Sequence, residues 1–96
     1  MAKAVLFYSA KRTYPDGMII EIRIWILPSP TEERPHGYKY SLFFGRPGER
    51  LVGYDNERGK GDHKHMKGLQ SSYVFVSVDQ FISDFRRDVA LMRKRI

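Results

Sequence analysis

Two of the three histidines in this chain stand two residues apart, His63 and His65, at the end of a run from Tyr54 that reads Tyr-Asp-Asn-Glu-Arg-Gly-Lys-Gly-Asp-His-Lys-His. Imidazole titrates near neutral pH, so either ring can take or give a proton under ordinary conditions. On an extended backbone, side chains i and i+2 share a face, which would bring both rings to one substrate. Metal-free cleavage of RNA needs a base for the ribose 2′-hydroxyl, an acid for the departing 5′-oxygen, and cations around the pentavalent phosphorus. His63 and His65 suit the two proton-transfer roles in either order, with Arg58 and Lys60 as the cations of the reaction centre. Tyr54 can stack on a base or donate a hydrogen bond. Asn56, Lys64 and Lys67 complete the set expected to contact substrate, and Gly59 and Gly61 let the backbone approach a phosphate.

The same residues support other chemistry. Asp62, His63 and His65, joined by His36, offer carboxylate and imidazole ligands to a metal, though the spacing matches no specialised metal motif. The leading interpretation requires no metal and no cofactor. A charged, solvated turn is the plain alternative, and a non-catalytic module that grips RNA or an acidic protein is another. Gly59-Lys60-Gly61 lacks the spacing and the following Ser or Thr of a P-loop. Trp25 can cover a sheet face or stack on a partner, and Arg93-Lys94-Arg95 suits a basic helix end.

At 96 residues the chain is long enough for one modest core and is expected to form one domain. A 42% hydrophobic content places it among folded proteins and not disordered tails. The absence of cysteine excludes disulfides, thiolate nucleophiles and cysteine-ligated zinc. The apolar stretch Ala4–Tyr8 is too short for a secretory signal, and no segment approaches the roughly 20 apolar residues of a membrane span. A soluble, cytoplasmic protein with no membrane association is expected. The net charge of +6 is unevenly spread: residues 34–67 carry eight cations against four carboxylates, while residues 1–33 balance. Excess positive charge around the candidate site suits a polyanion such as RNA.

The elements that must hold these residues are legible from periodicity. Met18, Ile20, Ile22, Ile24 and Ile26 alternate with polar positions as one strand, paired to residues 3–13 through the Tyr14-Pro15-Asp16-Gly17 turn. Three prolines break residues 27–37 into a loop. Tyr38–Phe44 and Arg50–Asn56 predict a second hairpin about Gly45-Arg46-Pro47-Gly48-Glu49. Residues 57–72 show no apolar period and are expected to form a loop. Tyr73–Val76 predicts a short fifth strand. Ser77-Val78-Asp79-Gln80 is a capping box before an amphipathic helix, with Phe81, Ile82, Phe85, Val89 and Met92 inward and Asp84, Arg86, Arg87, Asp88 and Lys94 outward. The expected class is α+β: an antiparallel sheet of four to five strands with one C-terminal helix packed on one face.

Taken in order, Tyr14-Pro15-Asp16-Gly17, Trp25-x-Leu27-Pro28, Pro35-His36-Gly37-x-Lys39-Tyr40 and Tyr54-Asp55-Asn56-x-x-Gly59-Lys60-Gly61-Asp62-His63-x-His65 resemble the TumE family of prokaryotic toxin–antitoxin toxins. Phe75-Val76-Ser77 and Phe85-Arg86-x-Asp88-Val89 extend the resemblance over nearly the whole chain. The resemblance implies a small intracellular toxin encoded beside, and bound by, a helix-turn-helix antitoxin. By analogy with other small basic toxins, it suggests a ribonuclease acting on free or ribosome-bound RNA to inhibit translation.

Overall fold

Six strands run in chain order, β1 (Val5–Thr13), β2 (Ile19–Ile26), β3 (Tyr38–Arg46), β4 (Glu49–Asp55), β5 (His63–Met66) and β6 (Leu69–Ser72). Each pairs antiparallel with its sequence neighbours, and α1 (Val78–Arg95) follows. The computed structural model describes residues 3–56 and 61–95. The expected α+β arrangement is present, with six strands in place of four or five. Among the described residues, no helix is long and apolar enough to cross a membrane.

The added strands arise where a loop was expected. His63–Met66 and Leu69–Ser72 form a hairpin in which Met66 faces Leu69. Lys67 and Gly68 turn it with φ of 50° and 82°, the twist that two-residue hairpin loops favour. Apolar alternation could not reveal it, because β6 is fully exposed and the pairing of β5 with β4 holds it in place. Conversely, the strand expected at Tyr73–Val76 does not form. That segment is irregular; Val74 and Val76 are exposed, while the Phe75 ring sits 4.0 Å from the His36 ring and 5.1 Å from that of Phe81, centroid to centroid.

Register divides the sheet into two unlike faces. Ile22 and Ile24 on β2, Tyr40, Leu42 and Phe44 on β3, and Val52 and Tyr54 on β4 lie side by side under α1. They enclose a core with Phe81, Phe85, Val89 and Met92. Each such burial contributes about 1.5–3 kcal/mol. The turns obey the local chemistry expected of them. Gly17, at φ 88°, donates to the Tyr14 carbonyl over 2.9 Å, and Asp16 accepts from the Met18 amide. Gly45 has no alternative, since a Cβ there would lie 2.0 Å from the Glu49 carbonyl oxygen.

Half of the expected capping box is made: the Gln80 amide donates to Ser77 Oγ at 3.1 Å. The Gln80 side chain turns forward instead, donating to Asp84 Oδ1 at 2.8 Å. One helix position departs from expectation. Asp88, placed outward by periodicity, is only 3% exposed, because Tyr54 and Lys64 draw it against the sheet.

Candidate functional site

Among the described residues no helix packs on the second face of the sheet, and His63 and His65 are there. Across it, Arg23, Ser41, Asp55, His63 and Ser72 stand in one row of register partners. Glu21, Phe43, Gly53, His65 and Gln70 form the next row. His63 and His65 share this face as i and i+2 residues, with ring centroids 5.1 Å apart and planes nearly perpendicular. Asp55 Oδ1 lies against His63 Nε2 in ion-pair contact, yet it is a buried oxygen with no hydrogen bond. Arg50 reaches Asp55 Oδ2 with Nη1 at 3.6 Å. Gly53 makes that reach possible: a Cβ there would lie 2.5 Å from Arg50 Cδ.

His63 is nearly sealed, at 3% exposure, and its ring is held from both ends. The Gly61 carbonyl oxygen, 3.0 Å from Nδ1, can only accept, so Nδ1 carries a proton. In a neutral ring, Nε2 is then a lone pair facing a carboxylate. Two acceptors are stable side by side only with a cation between them, either a proton or a metal ion. Asp55, His63 and His65 each place a ligand atom within 4.8 Å of the others.

A separate network occupies the helix side of the same strand ends. His36 Nδ1 accepts from the Tyr38 amide at 3.1 Å, so Nε2 is the donor to Asp62 Oδ1 at 3.0 Å. The Tyr40 hydroxyl and Asn56 Nδ2 also donate to Asp62 Oδ1, at 2.7 and 3.3 Å. Asn56 further accepts from the Tyr40 amide and donates to the Tyr38 carbonyl. Its own carbonyl accepts two bonds from the Arg34 guanidinium. This network fastens both approaches to the site, residues 27–37 and the descent from Asp62 into β5. Burial, and next the bond to Asp62, push the Tyr40 hydroxyl far above the usual tyrosine range.

Under α1, the Tyr54 hydroxyl donates to Asp88 Oδ2 at 2.5 Å, and Lys64 Nζ lies 3.3 Å from the same oxygen. Burial and then this bond raise the Tyr54 pKa, as burial and the bond to Asp84 raise that of Tyr73. The Tyr73 hydrogen bond in turn holds the Asp84 carboxyl below its ordinary value.

The structure therefore sorts the residues that the sequence grouped. His63 and His65 come together. Lys64, between them, points to the opposite face and pairs with Asp88. Tyr54 and Asn56, expected to contact substrate, are buried at 0% and 1% exposure and serve as internal supports. Lys67 is the exposed corner of the β5–β6 turn. Arg58 and Lys60 lie outside the described residues. Asp62, the carboxylate expected to join the histidines, is engaged with His36, and Asp55 takes its place. Asp55 and Arg50 were missed in sequence, although strand alternation alone puts Asp55 on the face opposite Tyr54. Its partnership with His63 becomes visible only through the register of β4 with β5.

An antiparallel meander with one helix packed on one face, and an Asp–His–His–Arg group on the other, defines a small basic α+β protein. The family model described as "Toxin TumE" matches residues 2–93, and the chain belongs to the TumE toxin family. It is thus the toxin of a toxin–antitoxin pair, which implies an antitoxin partner. No curated protein and no solved structure is significantly similar to it.

Proposed function

We propose that this toxin cleaves RNA, with Asp55, His63 and His65 as the reaction centre and Arg50 as the cation that meets the scissile phosphate. The observation that carries the reading is the convergence of these four side chains on the face away from α1, while the neighbouring Lys64 and Asp62 pair with Asp88 and His36. In the reaction, the centre removes the ribose 2′-hydroxyl proton, the 2′-oxygen attacks phosphorus, and the bond to the 5′-oxygen breaks as that oxygen is protonated. The products are a 2′,3′-cyclic phosphate and a free 5′-hydroxyl. His63, with both ring nitrogens committed, works through the group and not as an isolated base. We take the restraining antitoxin to be of the helix-turn-helix type and the activity to act on RNA used in translation.

Purified toxin freed of antitoxin, incubated with end-labelled RNA, should generate cyclic-phosphate termini. Removing a proton-transfer or phosphate-stabilising group costs about 10²- to 10⁴-fold. Losses of that size are expected for Asp55→Asn, His65→Ala and Arg50→Ala. Cleavage by all three at the wild-type rate would sink the reading. A second reading, RNA binding without cleavage, draws on Trp25, whose ring lies 5.3 Å from Lys39 Nζ on the same face, close to Arg23. It predicts intact RNA retained with an affinity that falls steeply with salt.

A further inference from the structure

We propose that Asp55, His63 and His65 bind one first-row divalent transition-metal ion, for which zinc(II) is the probe. Two imidazoles and one carboxylate are the donor set of zinc centres that keep three protein ligands and leave a fourth position for water. That mixture favours zinc and its neighbours over magnesium or calcium, which take all-oxygen sites. Around such an ion, with bonds of about 2.0–2.2 Å, ligand atoms in a tetrahedron lie roughly 3.3–3.5 Å apart. The ligand atoms here all lie within 4.8 Å of one another, near enough to share one ion.

The surroundings already supply what a ligand shell requires. The Gly61 carbonyl fixes the proton of His63 on Nδ1 and turns the Nε2 lone pair toward Asp55. Metal-binding histidines are oriented in the same way by a carbonyl or carboxylate on the other nitrogen. Asp55 Oδ1, buried and without a hydrogen bond, is the acceptor that a cation would satisfy, while Arg50 steadies Oδ2. The role of the ion in the reaction rests on the nuclease reading above; its binding does not. Zinc held by Asp55, His63 and His65 would supply Lewis acidity to the reaction, and the two histidines would then act as ligands.

The chain has only three histidines, so imidazole nitrogen resonances report the site without any substitution. Metal-stripped wild-type toxin titrated with zinc chloride should saturate at one equivalent, shifting the His63 and His65 resonances and leaving His36 unmoved. Calorimetry should show at least a tenfold weaker affinity in Asp55→Asn and in His65→Gln, and wild-type affinity in His36→Gln. A proton shared by Asp55 and His63 in place of a metal would leave every imidazole unmoved and overturn the proposal. So would equal affinity in Asp55→Asn, or a shift centred on His36. Zinc binding by a toxin that never cleaves RNA would retire the nuclease and keep the site; cleavage with no zinc binding would do the reverse.

Discussion

Replacing Asp88 by alanine tests whether Tyr54 and Lys64 are internal supports or substrate contacts. Tyr54 is wholly buried, and its hydroxyl has the Asp88 carboxylate as its acceptor. A hydrogen bond to a charged group contributes about 1.5–3 kcal/mol. The Lys64 pair adds less than about 1 kcal/mol, because the lysine is 26% exposed and partly screened. Asp88→Ala is therefore expected to cost roughly 2–4 kcal/mol. For a domain of this size, about 3 kcal/mol lowers Tm by roughly 12–24 °C. Asp88→Asn keeps an acceptor for the hydroxyl and should lose about half as much. Urea unfolding followed by circular dichroism gives the free energies, with m unchanged if only the native state is affected. A double-mutant cycle with Tyr54→Phe should return a coupling of at least about 1 kcal/mol. An Asp88→Ala protein within about 0.5 kcal/mol of wild type, or an additive cycle, would refute the reasoning.

Two further outcomes follow from the same geometry. Tyr40, Tyr54 and Tyr73 all have pKa values raised above the free value near 10. Each contributes stability that is intact below pH about 10 and is lost as pH rises beyond it, since only the unfolded chain ionises there. Tyrosinate absorbance should therefore show these three titrating together with the loss of the circular-dichroism signal; early ionisation in the folded protein would contradict it. Gly53→Ala should change stability by less than about 1 kcal/mol, because the Arg50 side chain that it displaces from Asp55 is 42% exposed and screened by solvent. It should nevertheless depress RNA cleavage toward the level of Arg50→Ala, a combination read from parallel melts and cleavage assays.

Where sequence patterns were strong, the fold followed them. The isoleucine alternation of β2 and the Tyr38–Phe44 alternation of β3 each mark one apolar face, and that face is the one α1 covers. The turn residues were equally informative, since Pro15, Gly17 and Gly48 permit few backbone choices. The β5–β6 hairpin shows no apolar alternation, because β6 is exposed along its length and the buried residue of β5 is a histidine. Tyr73–Val76 misled for the opposite reason. Its apolar residues seat one ring, Phe75, against His36 and Phe81, and leave the valines exposed.

The TumE resemblance, the basic charge, the α+β class and the shared face of His63 and His65 were determined by the sequence itself. Alternation and composition act locally, and they survive in whatever structure forms. The partners of those histidines were decided by tertiary structure. Pairing Asp55 with His63 depends on how far the chain returns between β4 and β5, and a shift of one residue would have turned the histidines toward α1. The same register sends Lys64 inward to Asp88 and leaves Asp62 to His36, so two carboxylates exchange the roles that proximity in sequence suggested. Long-range register is set by the packing of the whole sheet and helix, which no local window of residues encodes.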